Sequence, residues 1–372
     1  MNTNKKTFSV VKAALLCAAS LAAVLALLIL VPSSPALLVD DPTTLLAVDA
    51  GYTNQWDEPV QMLVTGYSVC IAIAAALAMD RTGMLCRLQG GKYTGGLSLA
   101  LLSGTFALIC SRALYCVLRW RYIINDLCGS WTFPLELWQG GYTMYGAIFG
   151  ELLGAFIWSR LSRKPFAWTM DLLAPGMLML LAAGRFGEIF TAQGMSNYRS
   201  AEALQMLPFA SVGEWGSPEL CIYAYEALIA LIALIVTSVL LLRRAPAGRA
   251  AETGLIIVSA YQVVMESMRG DELIKFGFVR LNMIAAAALL AAIIVGRIVR
   301  CIRHKSFGVW QILRIVLLLA GAGVVICVEF ALDGKIKLPD VTDTMLYIAD
   351  ILAVTGMMLS VLIADGRKKE AV

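Results

Sequence analysis

The chain has 372 residues, 59% of them hydrophobic and only 15% charged, with a mean hydropathy of +0.77. A soluble domain carries nearer a quarter charged residues, so composition excludes a soluble enzyme and points to a polytopic membrane protein. The net charge of +4 is accounted for by the loop bias described below and implies no nucleic-acid partner.

In chain order, apolar runs close to the about 20 residues that cross hydrocarbon fall at 10–31, 62–79, 94–118, 139–158 and 167–184. Others follow at 221–242, 254–268, 280–296, 308–331 and 345–364. The expectation is an all-α polytopic membrane protein with about ten transmembrane helices. The first run precedes Ser34-Pro35-Ala36, a passable cleavage site, so a signal peptide and an uncleaved anchor both stand; its length favours the anchor. Cysteines lie mostly inside the runs, with none in CxxC spacing, so neither a disulfide framework nor a metal site is indicated.

Orientation follows from Lys and Arg in the loops. With the N-terminus inside, the cytoplasmic segments carry Lys5, Lys6 and Lys12, then Arg81, Arg87 and Lys92, then Arg160, Arg163 and Lys164. They continue with Arg243, Arg244 and Arg249, then Arg297, Arg300, Arg303 and Lys305, and finally Arg367, Lys368 and Lys369. The first loop on the other face is acidic, with Asp40, Asp41, Asp49, Asp57 and Glu58. Both termini are expected in the cytoplasm.

Charges inside a bilayer are costly and mark function. This chain places Arg112, Glu151, Asp171, Arg185, Glu188, Glu226, Glu266 and Arg269 within or at the ends of its apolar runs. Such residues can simply be buried ion pairs that fix packing, but their spread over five or six runs suggests a shared polar cavity open to the outer leaflet. Guanidinium offers a planar fork and keeps its charge when desolvated, which suits a phosphate. Glycines beside Arg185 (Gly184, Gly187) and in the 140–150 stretch (Gly140, Gly141) permit close backbone approach. A phospholipid headgroup fits this chemistry. The lone histidine, His304, lies in a basic loop away from these residues.

At these residues the chain resembles the prolipoprotein diacylglyceryl transferases. "SRALYCVL" is similar to that family's arginine-bearing motif at Arg112 and Tyr115, and "WQGGYTMYGAIFG" to its glycine-rich segment, with Tyr145 at the histidine or tyrosine position. "MDLLAP" and the later "GRFG" match at Asp171 and Arg185, "YEALIAL" at Tyr225 and Glu226, and "ESMR" at Glu266 and Arg269. The resemblance departs within the signature: Glu188 and Thr191 replace asparagines, Gln193 a glutamate and Ser196 a glycine, while Gln262 stands where an arginine is usual.

The resemblance implies a seven-helix core over 61–300, preceded by an anchor and acidic segment over 1–60 and followed by two extra helices over 301–372. It implies a bacterial cell-membrane enzyme that transfers diacylglyceryl from phosphatidylglycerol to the lipobox cysteine of secreted precursor proteins, with no cofactor. Arg185, helped by Arg112 or Arg269, would hold the phosphate; Tyr145, Glu188 and Glu266 are candidate bases; Asp171 and Glu226 would orient the arginines. A divergent homologue with altered or lost transfer, and a lipid-handling or transport protein, are the competing readings. Arg112, Asp171, Arg185, Glu226, Glu266 and Arg269 are expected to converge on one cavity.

Overall fold

The computed structural model describes residues 44–53, 59–125, 133–135, 141–191, 193–199, 205, 209–212, 216–270, 275–276, 279–303, 308–336 and 341–363. The expected span at 10–31, Gly140 and His304 lie outside them. Among the described residues, the chain opens with an antiparallel hairpin, β1 (Thr44–Thr53) and β2 (Pro59–Thr65). Then follow α1 (Gly66–Leu88), α2 (Tyr93–Leu118), the short α3 (Trp120–Asn125), α4 (Met144–Ser162) and α5 (Phe166–Gly187). A three-stranded sheet of β3 (Met195–Arg199), β4 (Ala210–Val212) and β5 (Pro218–Cys221) comes next, with β5 central. Helices α6 (Ile222–Leu242) and α7 (Arg249–Met268) are followed by a small hairpin, β6 (Lys275–Phe276) and β7 (Val279–Arg280). Helices α8 (Leu281–Arg303), α9 (Val309–Leu332) and α10 (Asp343–Ile363) complete the fold.

Among the described residues nine long helices fall where the second to tenth apolar runs were expected, and the protein is an all-α polytopic membrane protein. Seven of the nine are long and apolar enough to cross a membrane by themselves. The other two are α4, which carries Glu151 and Arg160, and α7, which carries the buried Gln262 and Glu266. One boundary differs: residues 62–65, read as the start of the second span, belong to β2, and the helix starts at Gly66.

Lipid tails are as apolar as leucine, so helices in a membrane associate through close packing and polar contacts rather than hydrophobicity. Helices α2 and α4 show this directly. Gly146, Gly150 and Gly154 recur every fourth residue on one face of α4 and meet Ser111, Ala107 and Ser103 on α2, in antiparallel order. A Cβ added at Gly154 would lie 2.6 Å from the Ser103 Cα, and one at Gly146 would lie 2.7 Å from the Ser111 Cα. Ser111 also accepts from the Thr143 amide (2.8 Å) and donates to the Thr143 carbonyl (2.7 Å), which registers the start of α4 against α2.

Helix α5 is the most deeply buried of those seven apolar helices and packs against α1, α4, α6 and α7. Its core-facing residues Leu178, Met179, Ala182 and Phe186 join Tyr223, Ala227 and Leu231 of α6 and Ile257 of α7. The C-terminal α9–α10 hairpin lies against α7 and α8, with Val354 set among Val264, Ala260 and Ile222.

The zipper yields a prediction. Gly150→Leu would drive a side chain into the Phe106–Ala107 backbone and should cost at least about 3 kcal/mol, the upper end of the overpacking range. Gly104→Ala, with nothing within 4 Å of the new carbon, should be neutral or stabilising by less than about 1 kcal/mol. Thermal unfolding of the two purified variants in detergent checks this; equal midpoints would refute the zipper.

Candidate functional site

The site is assembled where α5, α6 and α7 meet the loops at one end of the bundle. Arg185 lies in the last turn of α5, and the chain tightens after Gly187 into a 3-10 turn, Glu188–Phe190, that presents Glu188. Glu226 sits near the start of α6. Gln262 and Glu266 lie one turn apart on α7, so they share a face, and Arg269 follows at its end. Arg269 is fixed by its backbone: it bridges to Ser196 beside the paired strands, and the Gly270 amide donates to the Met195 carbonyl at 2.7 Å. Arg280 donates to the Arg269 carbonyl from the other side.

Four of these side chains close a ring of alternating charge. Arg185 Nη1 donates to Glu188 Oε1 at 2.5 Å, and Glu188 Oε2 accepts from Arg269 Nη2 at 3.0 Å. Arg269 Nη1 donates to Glu226 Oε2 at 2.7 Å, and that same oxygen lies 3.1 Å from Arg185 Nε. Both carboxylates therefore bridge both guanidinium groups. Gln262 extends the network, its Nε2 donating to Glu226 Oε1 (2.8 Å) and Glu266 Oε2 (3.0 Å). Asn282 Nδ2 donates to the other Glu266 oxygen at 3.0 Å. Glu266 has no exposed surface and Arg269 only 4%. In so apolar a setting a charge left unmatched is far more costly than a matched one, so this mutual satisfaction is what permits the burial.

Tyr145 and Met144, at the start of α4, face the ring. Met144 Sδ lies 3.6 Å from Arg185 Nη2. The Tyr145 hydroxyl is buried without a hydrogen-bond partner and lies within electrostatic reach of Glu266, Arg185 and Glu226. Gly194 has a φ of +79°, and any side chain there would strike the Glu188 carboxylate and Tyr223. Only glycine both adopts that backbone and leaves the space.

The expected convergence holds for Arg185, Glu226, Glu266 and Arg269, and Glu188 joins them, but two members lie elsewhere. Asp171 stands fourteen residues before Arg185 on α5, about 21 Å along a helix. Its carboxylate accepts from the Gly248 amide (2.7 Å) and the Ala251 amide (2.9 Å), capping the N-terminus of α7. It orients a helix, not an arginine. Arg112 forms a separate centre: Nη2 donates to the Phe133 carbonyl at 2.6 Å and Nη1 to that of Gly141 at 3.3 Å, with its guanidinium 4.5 Å from the Phe133 ring centroid. Gly141 (φ +79°) closes against the Tyr115 ring.

Gly184 and Gly187 also have a different duty from the one expected. Their Cα atoms face Ile71 and Tyr67, so they admit α1 against α5 and do not approach the ring. Glu151 lies mid-way along α4, half-buried. Sequence reasoning missed Asn282, Arg280 and Gly194. The only signal for the first two was a cation and a polar residue at the start of the apolar run of α8, and Gly194 carried none.

Comparison with known proteins agrees with this arrangement. The sequence profile described as prolipoprotein diacylglyceryl transferase matches residues 59–327. A Lysinibacillus sphaericus protein named phosphatidylglycerol–prolipoprotein diacylglyceryl transferase is 29% identical over 211 residues, covering 54% of this chain and 76% of that one. Proteins of the same name from Bacillus velezensis (24% over 251 residues; 65% of this chain, 89% of the other) and Acaryochloris marina (30% over 136 residues; 37% and 48%) are also similar. With a matched region that takes in α1 to α8 and most of α9, the chain belongs to the prolipoprotein diacylglyceryl transferase family of enzymes.

Proposed function

We propose that this protein transfers a diacylglyceryl group from a glycerophospholipid to the thiol of the lipobox cysteine in a secreted precursor. Phosphatidylglycerol is the donor named in its relatives, and the first to test. The observation that carries the reading is the pair of buried arginines, Arg185 and Arg269, held on one Glu226 oxygen where three membrane helices end. Guanidinium groups fixed in that way are preorganised for the phosphate of a leaving group, where charge develops in the transition state. The thiolate is the attacking species, so a base must take the thiol proton. Glu188 and Glu266 are the carboxylates within the site that can take it, and the unpartnered Tyr145 hydroxyl can relay it by donating its own proton as it accepts another. In this reading 61–300 is the catalytic core, and 1–60 and 301–372 are additions to it.

The setting we propose is the bacterial cell membrane, with both termini cytoplasmic and the ring toward the outer face. The placement of charge supports it: Arg81, Arg160, Arg243, Arg249 and Arg297 all lie at or toward the helix ends opposite to those bearing Arg185, Glu226 and Arg269.

A second reading, lipid binding with transfer lost, is favoured by one observation. Glu188 bridges both arginines, one oxygen on each, and so stands where a phosphate would bind. The two readings part in a transfer assay with labelled phospholipid, a lipobox peptide and the purified chain: thioether lipid supports the first, and its absence with retained lipid supports the second.

Two variants separate chemistry from scaffold. Arg185→Lys keeps the charge but loses the planar fork, and should lower transfer at least about 100-fold, the scale seen when one preorganised donor is lost, while the protein still folds. Asp171→Ala removes the α7 cap and should cost about 0.5–2 kcal/mol of stability, with the folded fraction transferring at the wild-type rate. Initial rates with unfolding curves on both variants check this. A fully active Arg185→Lys protein would remove the arginine from the mechanism.

A further inference from the structure

The end of the bundle opposite the ring carries a cluster of charge that the transfer reading does not use. Helix α4 ends and α5 begins around Arg160, Arg163 and Lys164, and all three residues are exposed. No Asp or Glu occurs between Glu151 and Asp171, and Asp171 is taken up by the amides of α7. Among the described residues no carboxylate pairs with any of the three cations. Other cations at this end are engaged differently. Arg297 and Arg300 share Glu252 Oε1 at 2.8 and 2.9 Å, and Arg81 is buried, donating to the Ser238 hydroxyl at 2.6 Å.

Two of these cations rest on aromatic rings. The Arg160 guanidinium lies 4.9 Å from the Phe156 ring centroid, and Lys164 Nζ lies 5.6 Å from that of Trp168. Phe156 in turn meets Phe166 edge-on, with centroids 6.0 Å apart and planes at 71°. Phe156, Arg160, Arg163, Lys164 and Phe166 line a groove of about 420 Å³ between the two helix ends, a volume in the range of small-molecule sites. Helix α5 starts at Phe166 with no side chain capping its amides, so the positive end of its dipole adds to the cations. Below the groove, Phe149 is exposed on the same face of α4 as Phe156, about 10 Å along the helix. The groove thus joins an anion-attracting mouth to an aromatic wall that runs on into the hydrocarbon. A soluble anion can use only the mouth, whereas a phospholipid uses both.

We propose that this groove is a second lipid site, which holds an anionic glycerophospholipid of the leaflet opposite the ring, the cytoplasmic leaflet in the orientation given above. The phosphate sits among Arg160, Arg163 and Lys164, and an acyl chain runs along Phe156 and Phe149. Basic pockets between membrane helices at the cytoplasmic surface suit such headgroups. Three cations with no carboxylate between them attract a headgroup of two phosphates more strongly than one of a single phosphate, so diphosphatidylglycerol is the lipid that binds most tightly. Lipid held here is bound and not consumed, and the proposal does not depend on the transfer reading. Its consequence is positional: α4, whose far end brings Met144 and Tyr145 to the ring, is anchored at this end to the membrane surface.

The test titrates the purified full chain in neutral maltoside micelles with diphosphatidylglycerol, phosphatidylcholine or soluble glycerol 3-phosphate, and counts bound molecules by native mass spectrometry. Wild type is compared with Arg163→Gly and with the triple variant Arg160→Gln, Arg163→Gly, Lys164→Gln. The triple variant should weaken one diphosphatidylglycerol site about 100-fold and Arg163→Gly about fivefold, the factor one cation contributes near an anionic membrane surface. Arg163 closes α4 with a φ of +55°, a conformation that glycine adopts freely. The single variant should therefore keep the wild-type unfolding midpoint, and it decides the matter if the triple variant fails to fold. Undiminished diphosphatidylglycerol binding by the variants would overturn the site. Phosphatidylcholine held as tightly as diphosphatidylglycerol would overturn the role of charge, and glycerol 3-phosphate held as tightly would overturn a lipid as the occupant.

Discussion

A charged side chain inside an apolar bundle must be matched by an opposite one, and here that requirement fixes how three helices end. Arg185 closes α5, Glu226 stands near the start of α6 and Arg269 ends α7, while the turn after α5 brings Glu188 between the two arginines. Remove any one of the four and a neighbour is left unmatched at a depth where water cannot compensate. The loop structure around the ring follows from the same demand. The strand after Gly194 pairs with β5 and ties to the end of α7, so the backbone that carries Glu188 and the backbone that carries Arg269 are hydrogen-bonded together.

The remainder of the bundle is arranged to bring other groups to this point. Small residues along α2 and α4 allow those two helices to approach almost backbone to backbone. The start of α4 is held there by Ser111 and Thr143, and the next two residues, Met144 and Tyr145, are the ones that reach the ring. Arg112 donates to the Phe133 and Gly141 carbonyls and lies over the Phe133 ring, beside the start of α4. At the opposite end, Asp171 caps α7, and Glu252 binds Arg297 at 2.8 Å. Helix α7, which presents Gln262 and Glu266, is thus secured at both ends.

The apolar runs were legible because crossing hydrocarbon requires length and hydrophobicity together, and nine of the ten expected spans coincide with long helices. The charged residues at helix ends were legible for the converse reason, that a charge in lipid demands explanation. What composition does not carry is direction. Asp171 and Arg185 both lie on α5 and both looked like site residues, yet one meets backbone amides and the other two carboxylates, because their positions along the helix place them at opposite ends. Gly184 and Gly187 flank the arginine in sequence but face α1, since neighbouring residues in a helix point about 100° apart. The short strands beyond α5 were not foreseen, because their pairing is set by the loop's attachment to Arg269 and not by alternation in their own residues.

Departures from the family's usual residues at 188 and 262 read in sequence as losses, a carboxylate gained and a cation missing. In the folded chain the two changes belong together. Gln262 donates to both Glu226 and Glu266, and Glu188 takes up the donors that face it on Arg185 and Arg269. The outcome is a ring whose two carboxylates and two guanidinium groups satisfy one another. The most direct test of that account is a double-mutant cycle on stability with Glu188→Gln and Arg269→Met, singly and combined. The bridging ring predicts a coupling energy of about 1–3 kcal/mol between the two positions. Additive effects, with coupling within about 0.3–0.5 kcal/mol of zero, would contradict it.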